Sequence, residues 1–342
     1  MNFIEFESPR KLRGGFYTEA DMTDFLTRWV AARGPRRALE PSCGDGAFLA
    51  ALRRDRPPGL RSVFACEINP EEAAKARARA GFGKQVAVEV RAEDFLQWYL
   101  THGKAAEPFD CVLGNPPFIR YQFLPEGQQL LAERIFQGFG LPFTKHTNCW
   151  VPFVMASLAL LRPGGRLGMV IPSEIFHIAH AQSLRRYLAE QCARILIVDP
   201  EEIWFRDTLQ GTVLLLAEKK LHPAEPGQGV GVVPVAGRQV LQADPEELFQ
   251  GAAYANGDTI EGKWMRVFLT VSERRLLGEL QQQRRVRRFK DIAQVDVGIV
   301  TGANKFFLVP DSVVEAFGLQ RWAHPMFGRS DHVQGLVYSR TD

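Results

Sequence analysis

Asn115-Pro116-Pro117-Phe118 is the stretch of this chain whose residue types are hardest to explain as scaffold. It follows the run Phe-Asp-Cys-Val-Leu-Gly at 109–114, which predicts a buried strand. Two consecutive prolines cannot continue a central strand or open an ordinary helix turn, and the residue before a proline is held extended. The strand therefore ends in a stiff hook that presents a carboxamide, an uncommitted backbone carbonyl and an aromatic face. Such a hook could grip a planar ring that bears an amino group, although Asn-Pro-Pro-Phe taken alone reads equally as a structural turn.

A second group of residues could hold a small ligand beside it. Glu40-Pro41-Ser42-Cys43-Gly44-Asp45-Gly46 lies between a predicted strand at 38–40 and a helix. Gly44 and Gly46 are expected to let a ligand approach the backbone closely. Glu67 ends the next predicted strand, where an acid accepts hydrogen bonds from ribose hydroxyls. Asp94-Phe95 follows the third strand and suits an adenine, the carboxylate accepting from its amino group and the ring packing beside the base. The plain alternative is a tight strand-to-helix turn with a solvated acid downstream, and a nicotinamide-binding fold also fits. That fingerprint needs a third glycine, however, and Leu49 stands in its place. Glu40 is a poor neighbour for phosphates and a good one for a cation. S-adenosylmethionine (SAM), with a sulfonium, an ammonium and no phosphate, fits better.

These groups need a frame, and the pattern from 36 to 220 supplies one. Short apolar runs at 38–40, 63–67, 86–90, 111–114, 166–171, 194–198 and 212–217 alternate with helical stretches at 71–80, 153–161 and 181–191. A further helix at 20–29 precedes the first strand. The alternation predicts an α/β fold with a mostly parallel sheet. A Pro- and Gly-rich segment at 223–231 reads as a linker between a domain at 1–222 and a second at 232–342. In the second, a polar helix with a basic end is expected at 272–288, and two strands at 292–309 around a turn at 301–304. The closing residues, QGLVYSRTD, read as the middle of a domain, so this recognition half is expected to be truncated.

Composition excludes some classes. The 342 residues are 46% hydrophobic and 24% charged with a net charge of +3, so overall charge demands no nucleic-acid partner. Five scattered cysteines read as core residues in a reducing compartment, with neither a disulfide framework nor a zinc site. His177 and His180 lack companions for a metal, and no metal is expected. Without an apolar stretch of membrane-spanning length or a signal-peptide pattern at the start, a cytoplasmic location and no membrane partner are expected.

In order and spacing, the glycine turn, Glu67, Asp94-Phe95 and Asn115–Phe118 closely resemble the gamma-class N6-adenine DNA methyltransferases of bacterial restriction–modification systems. The resemblance runs from about residue 10 to 219. It begins at Arg10-Lys11-Leu12-Arg13-Gly14-Gly15-Phe16-Tyr17-Thr18, similar to the family's N-terminal SAM motif, although Glu19 stands where the family has proline. Leu161-Arg162-Pro163-Gly164-Gly165-Arg166-Leu167 with Val170-Ile171-Pro172 continues it. So does Ile203-Trp204-Phe205 with Gly211 and the run 212–216. Residues 289–308 are similar to the opening of a DNA-recognition domain.

The resemblance implies a SAM-dependent, Rossmann-like fold with a seven-stranded, mostly parallel sheet and helices on both faces. It implies methyl transfer from SAM to N6 of an adenine flipped out of duplex DNA, with a restriction endonuclease as a possible companion. Asn115 and the Pro116 carbonyl would then accept the two amine protons and Phe118 would stack on the ring. Phe205, with Trp204 as its rival, would cover the opposite face. Thr18, Glu40, Ser42, Gly44, Gly46, Glu67, Asp94, Phe95 and Asn115 would hold SAM. Phe153 packs either on the SAM adenine or in the core.

Arg120 and Tyr121, directly after the hook, are candidates for DNA contact, and the following stretch to Cys149 is expected to be a loop that orders on DNA. Arg284, Arg285, Arg287 and Arg288 read either as a solvated helix face or as phosphate contacts. Two other functions fit less well. A protein-glutamine methyltransferase shares the Asn-Pro-Pro hook, but that class carries a helical domain before the glycine motif. A degenerate DNA-binding subunit would not need both motifs intact.

Overall fold

The computed structural model describes residues 18–204, 211–257, 262–294 and 304–324. The chain divides into two compact units, 4–282 and a second made of 1–3 with 283–342.

The larger unit is built on one eight-stranded sheet, β1 (Arg37–Glu40), β2 (Ser62–Cys66), β3 (Ala87–Arg91), β4 (Phe109–Gly114), β5 (Leu161–Pro172), β6 (Cys192–Pro200), β7 (Thr212–Lys219) and β8 (Gly229–Val235). Their spatial order is β3-β2-β1-β4-β5-β7-β6-β8. β7 runs antiparallel to both its neighbours, and every other pairing is parallel. Strand order reverses between β1 and β4, which opens a crevice past their carboxyl ends, where ligands bind in open α/β sheets.

The seven strands read from sequence are all present, each within a few residues of the expected span. The eighth is not the linker that the Pro/Gly content of 223–231 predicts, since Gly229–Gly231 already pair with β6. β8 lies at the edge of the sheet, the one place where Pro234 removes no interior ladder bond. The compact unit also continues to Gln282, well beyond the expected boundary at 222.

Helices α1 (Ala20–Ala31), α2 (Ala47–Asp55), α3 (Pro70–Arg79), α4 (Phe95–His102), α5 (Glu126–Gly138), α6 (Trp150–Leu160), α7 (Gln182–Gln191), α8 (Pro245–Gly251) and α9 (Val271–Gln282) complete this unit. The buried side chains form two clusters, one containing Phe95, Trp150 and Phe153, the other Phe25, Leu49 and Ala76. β4 contributes Val112 to the first and Cys111 and Leu113 to the second, as strands covered on both faces must. α6 is apolar all round and almost wholly buried, and only Ala159 of its residues is half-exposed. α3 starts at Asn69, whose side chain accepts from the Glu71 and Glu72 N–H groups, with Pro70 at its first position.

α5 corrects the expected loop after the hook. Leu131, Ala132, Ile135 and Phe136 recur on one helical face and are buried, which is enough to fold 126–138 as a helix. α9 ends at Gln282, six residues before the helix expected to reach 288. In the smaller unit, Phe289–Asp291 forms a 3-10 turn, and short helices α10 (Asn304–Phe307) and α11 (Asp311–Ala316) follow. A short helix thus stands toward the C-terminal end of the region 292–309 read as two strands, and of the turn expected at 301–304 the first three residues lie outside the described residues.

Fully buried Arg166 on β5 fastens α1 and α8 to the sheet. Its guanidinium donates to the Trp29 carbonyl at 2.8 Å, to Glu246 at 2.6 and 3.1 Å, and to Glu218 at 3.1 Å. It also lies over the Trp29 ring, 3.7 Å from the centroid.

Candidate active site

The hook leaves β4 beside the loop that leaves β1. Gly114 packs tightly on that loop, because a Cβ there would come within 3.3 Å of the Pro41 ring. This close approach brings Ser42 to the hook, and its hydroxyl donates to the Asn115 carbonyl at 3.2 Å. From the other side Asn115 Nδ2 donates to buried Thr18 Oγ1 at 3.1 Å. Pro116 is buried and Phe118 is half-buried, packed against both core clusters.

Glu40 ends β1 with only 1% of its surface exposed. It accepts from the Leu49 N–H, yet its Oε2 has no hydrogen-bond partner among the described residues. Burial, reinforced by the nearby carboxylates of Asp45 and Glu67, pushes its pKa well above the usual range. A buried acid facing two other acids is poised for a cation. Glu67 spans two loops, accepting from Gly44 N–H at 2.9 Å and Asn69 N–H at 2.8 Å. Burial raises its pKa too, against those two bonds.

The two glycines divide their work. A Cβ on Gly44 would meet nothing within 4 Å, so its backbone is open to a ligand. A Cβ on Gly46 would sit 2.9 Å from the Ala76 Cα, and its φ of +89° is left-handed. Its lack of a side chain therefore lets α2 and α3 pack, a role beside the one expected from sequence.

Asp94 caps α4, accepting from Leu96 and Gln97 N–H at 2.8 and 3.2 Å, and a side-chain bond from Gln128 reaches it from α5. Burial raises its pKa. Phe95 and Phe153 are both buried, with ring centroids 5.4 Å apart. This contact favours the core reading of Phe153. Gln128 was missed by sequence reasoning, because only the register of α5 reveals it.

Other expected residues are not gathered here. Tyr121 is 6% exposed, and its hydroxyl donates to Glu133, which fixes α5 and leaves little to offer DNA. That carboxylate raises the Tyr121 pKa to about 12. Arg120 is exposed. Arg284, Arg285, Arg287 and Arg288 are exposed in the smaller unit, on the turn after α9 rather than on a helix, and Arg288 is engaged by Asp291 at 3.2 Å. Phe205 lies outside the described residues, while Trp204 beside it is buried. Among the described residues no cluster of side chains suited to a metal ion occurs, and no helix is long and apolar enough to cross a membrane.

The open backbone at Gly44 and the unpartnered Oε2 of Glu40 fit a cationic ligand such as SAM. Comparison with known proteins points the same way. Residues 67–205 match the Eco57I restriction-modification methylase family, and 261–342 match the C-terminal domain of type II methyltransferase M.Eco57I. The chain is 29% identical over 185 residues to type II methyltransferase M.TthHB8I of Thermus thermophilus, covering 52% of this chain and 39% of that protein. With M.PaeR7I of Pseudomonas aeruginosa it shares 23% over 341 residues, covering 88% and 57%. It spans 36% of the length of M.BanIII from Aneurinibacillus aneurinilyticus. Among solved structures, a DrdV–DNA complex has a TM-score of 0.63 at 14% identity over 90% of this chain and 37% of that one. A putative class I SAM-dependent methyltransferase from Listeria monocytogenes has a TM-score of 0.51 at 15% identity, covering 71% and 69%. The fold is that of the class I SAM-dependent methyltransferases, extended by an eighth strand.

Proposed function

We propose that this chain, a relative of the methyltransferases of bacterial restriction–modification systems, methylates N6 of an adenine flipped out of duplex DNA. The observation that carries the reading is Asn115 at the end of β4, bonded to Thr18 and Ser42, beside the strand β1 that ends in the buried acid Glu40.

SAM supplies an electrophilic methyl group on a positively charged sulfur. Glu40, Glu67 and the Gly44 backbone are the groups that would hold it, with Asp94 at its adenine end. The exocyclic amine of adenine is a poor nucleophile because its lone pair is delocalised into the ring. Asn115 Oδ1 and the Pro116 carbonyl would accept hydrogen bonds from its two N–H groups, which favours tetrahedral nitrogen and localises the lone pair. As the N–C bond forms, the methyl–sulfur bond would break with its electron pair left on sulfur, and the methylated nitrogen would release one proton to water. No titrating base is required, only positioning. Phe118 stacks on the base, worth about 1–3 kcal/mol, which helps offset a flipping cost of a few kcal/mol. Phe205 is the candidate for the other face.

Labelled SAM incubated with the protein and duplex DNA tests the reading. Label is expected on adenine N6, and label only on cytosine, or on protein glutamine, would sink it.

A further inference from the structure

Two residues beyond Phe118 the chain enters the wall of a cavity of about 210 Å³ lined by Arg120, Lys145, His146, Asn148, Glu174 and His180, among others. Its wall segments are fastened together. Arg120 and Asn148 form an antiparallel bridge, and the Cys149 N–H donates to the Ile119 carbonyl at 2.8 Å.

Two of its polar atoms are unsatisfied. Asn148 is 2% exposed, yet its Oδ1 has no hydrogen-bond partner among the described residues. The same holds for His180 Nε2. A buried polar group without a partner costs about 1–3 kcal/mol, so these atoms favour a hydrogen-bonding occupant, whether water or ligand. Arg120 and Lys145 outnumber the single carboxylate of Glu174, which makes the lining cationic. Burial, with His146, Arg185 and Arg120 nearby, pushes the His180 pKa down, so the ring is neutral, and its Nε2 donates to an acceptor occupant in the Nε2–H tautomer. The Asn148 carboxamide has no partner among the described residues to fix its orientation, and a half-turn presents Nδ2 as a further donor. The site therefore suits an anion with several acceptor oxygens.

Its place in the chain narrows which anion. At 3.8 Å between successive Cα atoms, Arg120 lies within about 8 Å of Phe118. A nucleotide's own phosphate lies at a similar reach from its base. We propose that this cavity holds the backbone phosphodiester beside the target nucleotide, with Lys145, His146 and Arg120 as positioning residues. The assignment rests on the DNA reading above, since Phe118 marks where the base would sit.

The test pairs variants with altered DNA. Once sequencing of methylated DNA has given the target site, duplexes are made with one flanking phosphate replaced by a neutral methylphosphonate. Wild type is expected to lose about tenfold in kcat/KM at one such position. The double variant Lys145→Ala, His146→Ala starts about tenfold weaker on native DNA and loses nothing further there. Equal losses in both proteins at every flanking position overturn the proposal. A second readout does not depend on turnover. The imidazole NMR signals of the full chain are titrated with a strand of four deoxyadenosines. Signals of His146 and His180 are expected to move while those of His102 and His222 stay. Their failure to move, or an equal response to inorganic phosphate at the same concentration, also overturns it. A wild type that methylates no DNA sinks the proposed function instead, and the titration still decides the cavity.

Discussion

Glu40→Gln should do two opposite things, stabilising the empty protein at neutral pH and weakening its hold on SAM. The Glu40 pKa is raised in the folded state above its ordinary value near 4.5. The folded protein therefore binds that proton more tightly than the unfolded chain does. Stability from this group is complete below about pH 4.5 and is lost as pH rises through the folded-state pKa. A neutral glutamine escapes that loss. An ionised carboxylate with one unpartnered buried oxygen is penalised by about 1–3 kcal/mol, and a unit of this size gains about 2–3 °C per kcal/mol. Glu40→Gln should therefore melt roughly 2–9 °C higher at pH 8, with the advantage vanishing near pH 5. SAM binding should weaken by about 10- to 150-fold, the value of 1.5–3 kcal/mol for a charged hydrogen-bond partner. In wild type, affinity should rise with pH until Glu40 is ionised in the free protein, and binding below that point should release a proton. Scanning fluorimetry across pH and calorimetry in two buffers of different ionisation enthalpy measure these effects. A variant that binds SAM like wild type, or a stability difference independent of pH, would refute the reasoning.

Asn115→Ala should reduce methyl transfer at least about hundredfold while SAM affinity by calorimetry stays nearly intact; comparable loss of both would make Asn115 a SAM-site residue. Gly46→Ala forces a left-handed φ on a residue with a Cβ and drives that Cβ into α3. It should lower unfolding free energy by roughly 1–3 kcal/mol in urea titration, and an unchanged midpoint would count against the packing role. Arg166→Met removes the partner of two carboxylates and should cost about 3 kcal/mol by the same measurement. A loss under about 1 kcal/mol would mean that Arg166 does not hold α8 in place.

The sheet was legible because its strands are short apolar runs separated by amphipathic helices, a change of period that shows in the residues alone. Where reading failed, a physical reason is visible. β8 hides two glycines and Pro234 in a strand that only an edge position tolerates. α5 carries its apolar positions among glutamines and glutamates, so the helical face is narrow. Four arginines within 284–288 place like charges three and four apart, which disfavours helix and stops α9 at Gln282. At the site, residue types were readable but their partners were not. The Asn115–Thr18 bond joins positions 97 apart, and the second task of Gly46 depends on Ala76 lying against it. Tyr121 was read as a DNA contact because an aromatic after the hook looks accessible, whereas Glu133 holds its hydroxyl from α5.

Arg166 carries a consequence for how this protein can be taken apart. A cut at the Pro/Gly-rich segment after residue 222 would remove Glu246 and leave a guanidinium, only 1% exposed in the intact fold, facing a vacated surface. Arg28 would lose the Leu241 and Ala243 carbonyls, and Asp21 would lose Arg238. A cut after Gln282, the end of the larger compact unit, leaves all of these contacts whole. A chimera joined there keeps β8 and α8 with the sheet, whereas one joined at 222 inherits an open sheet edge and an Arg166 left with Glu218 as its one carboxylate partner of the two described.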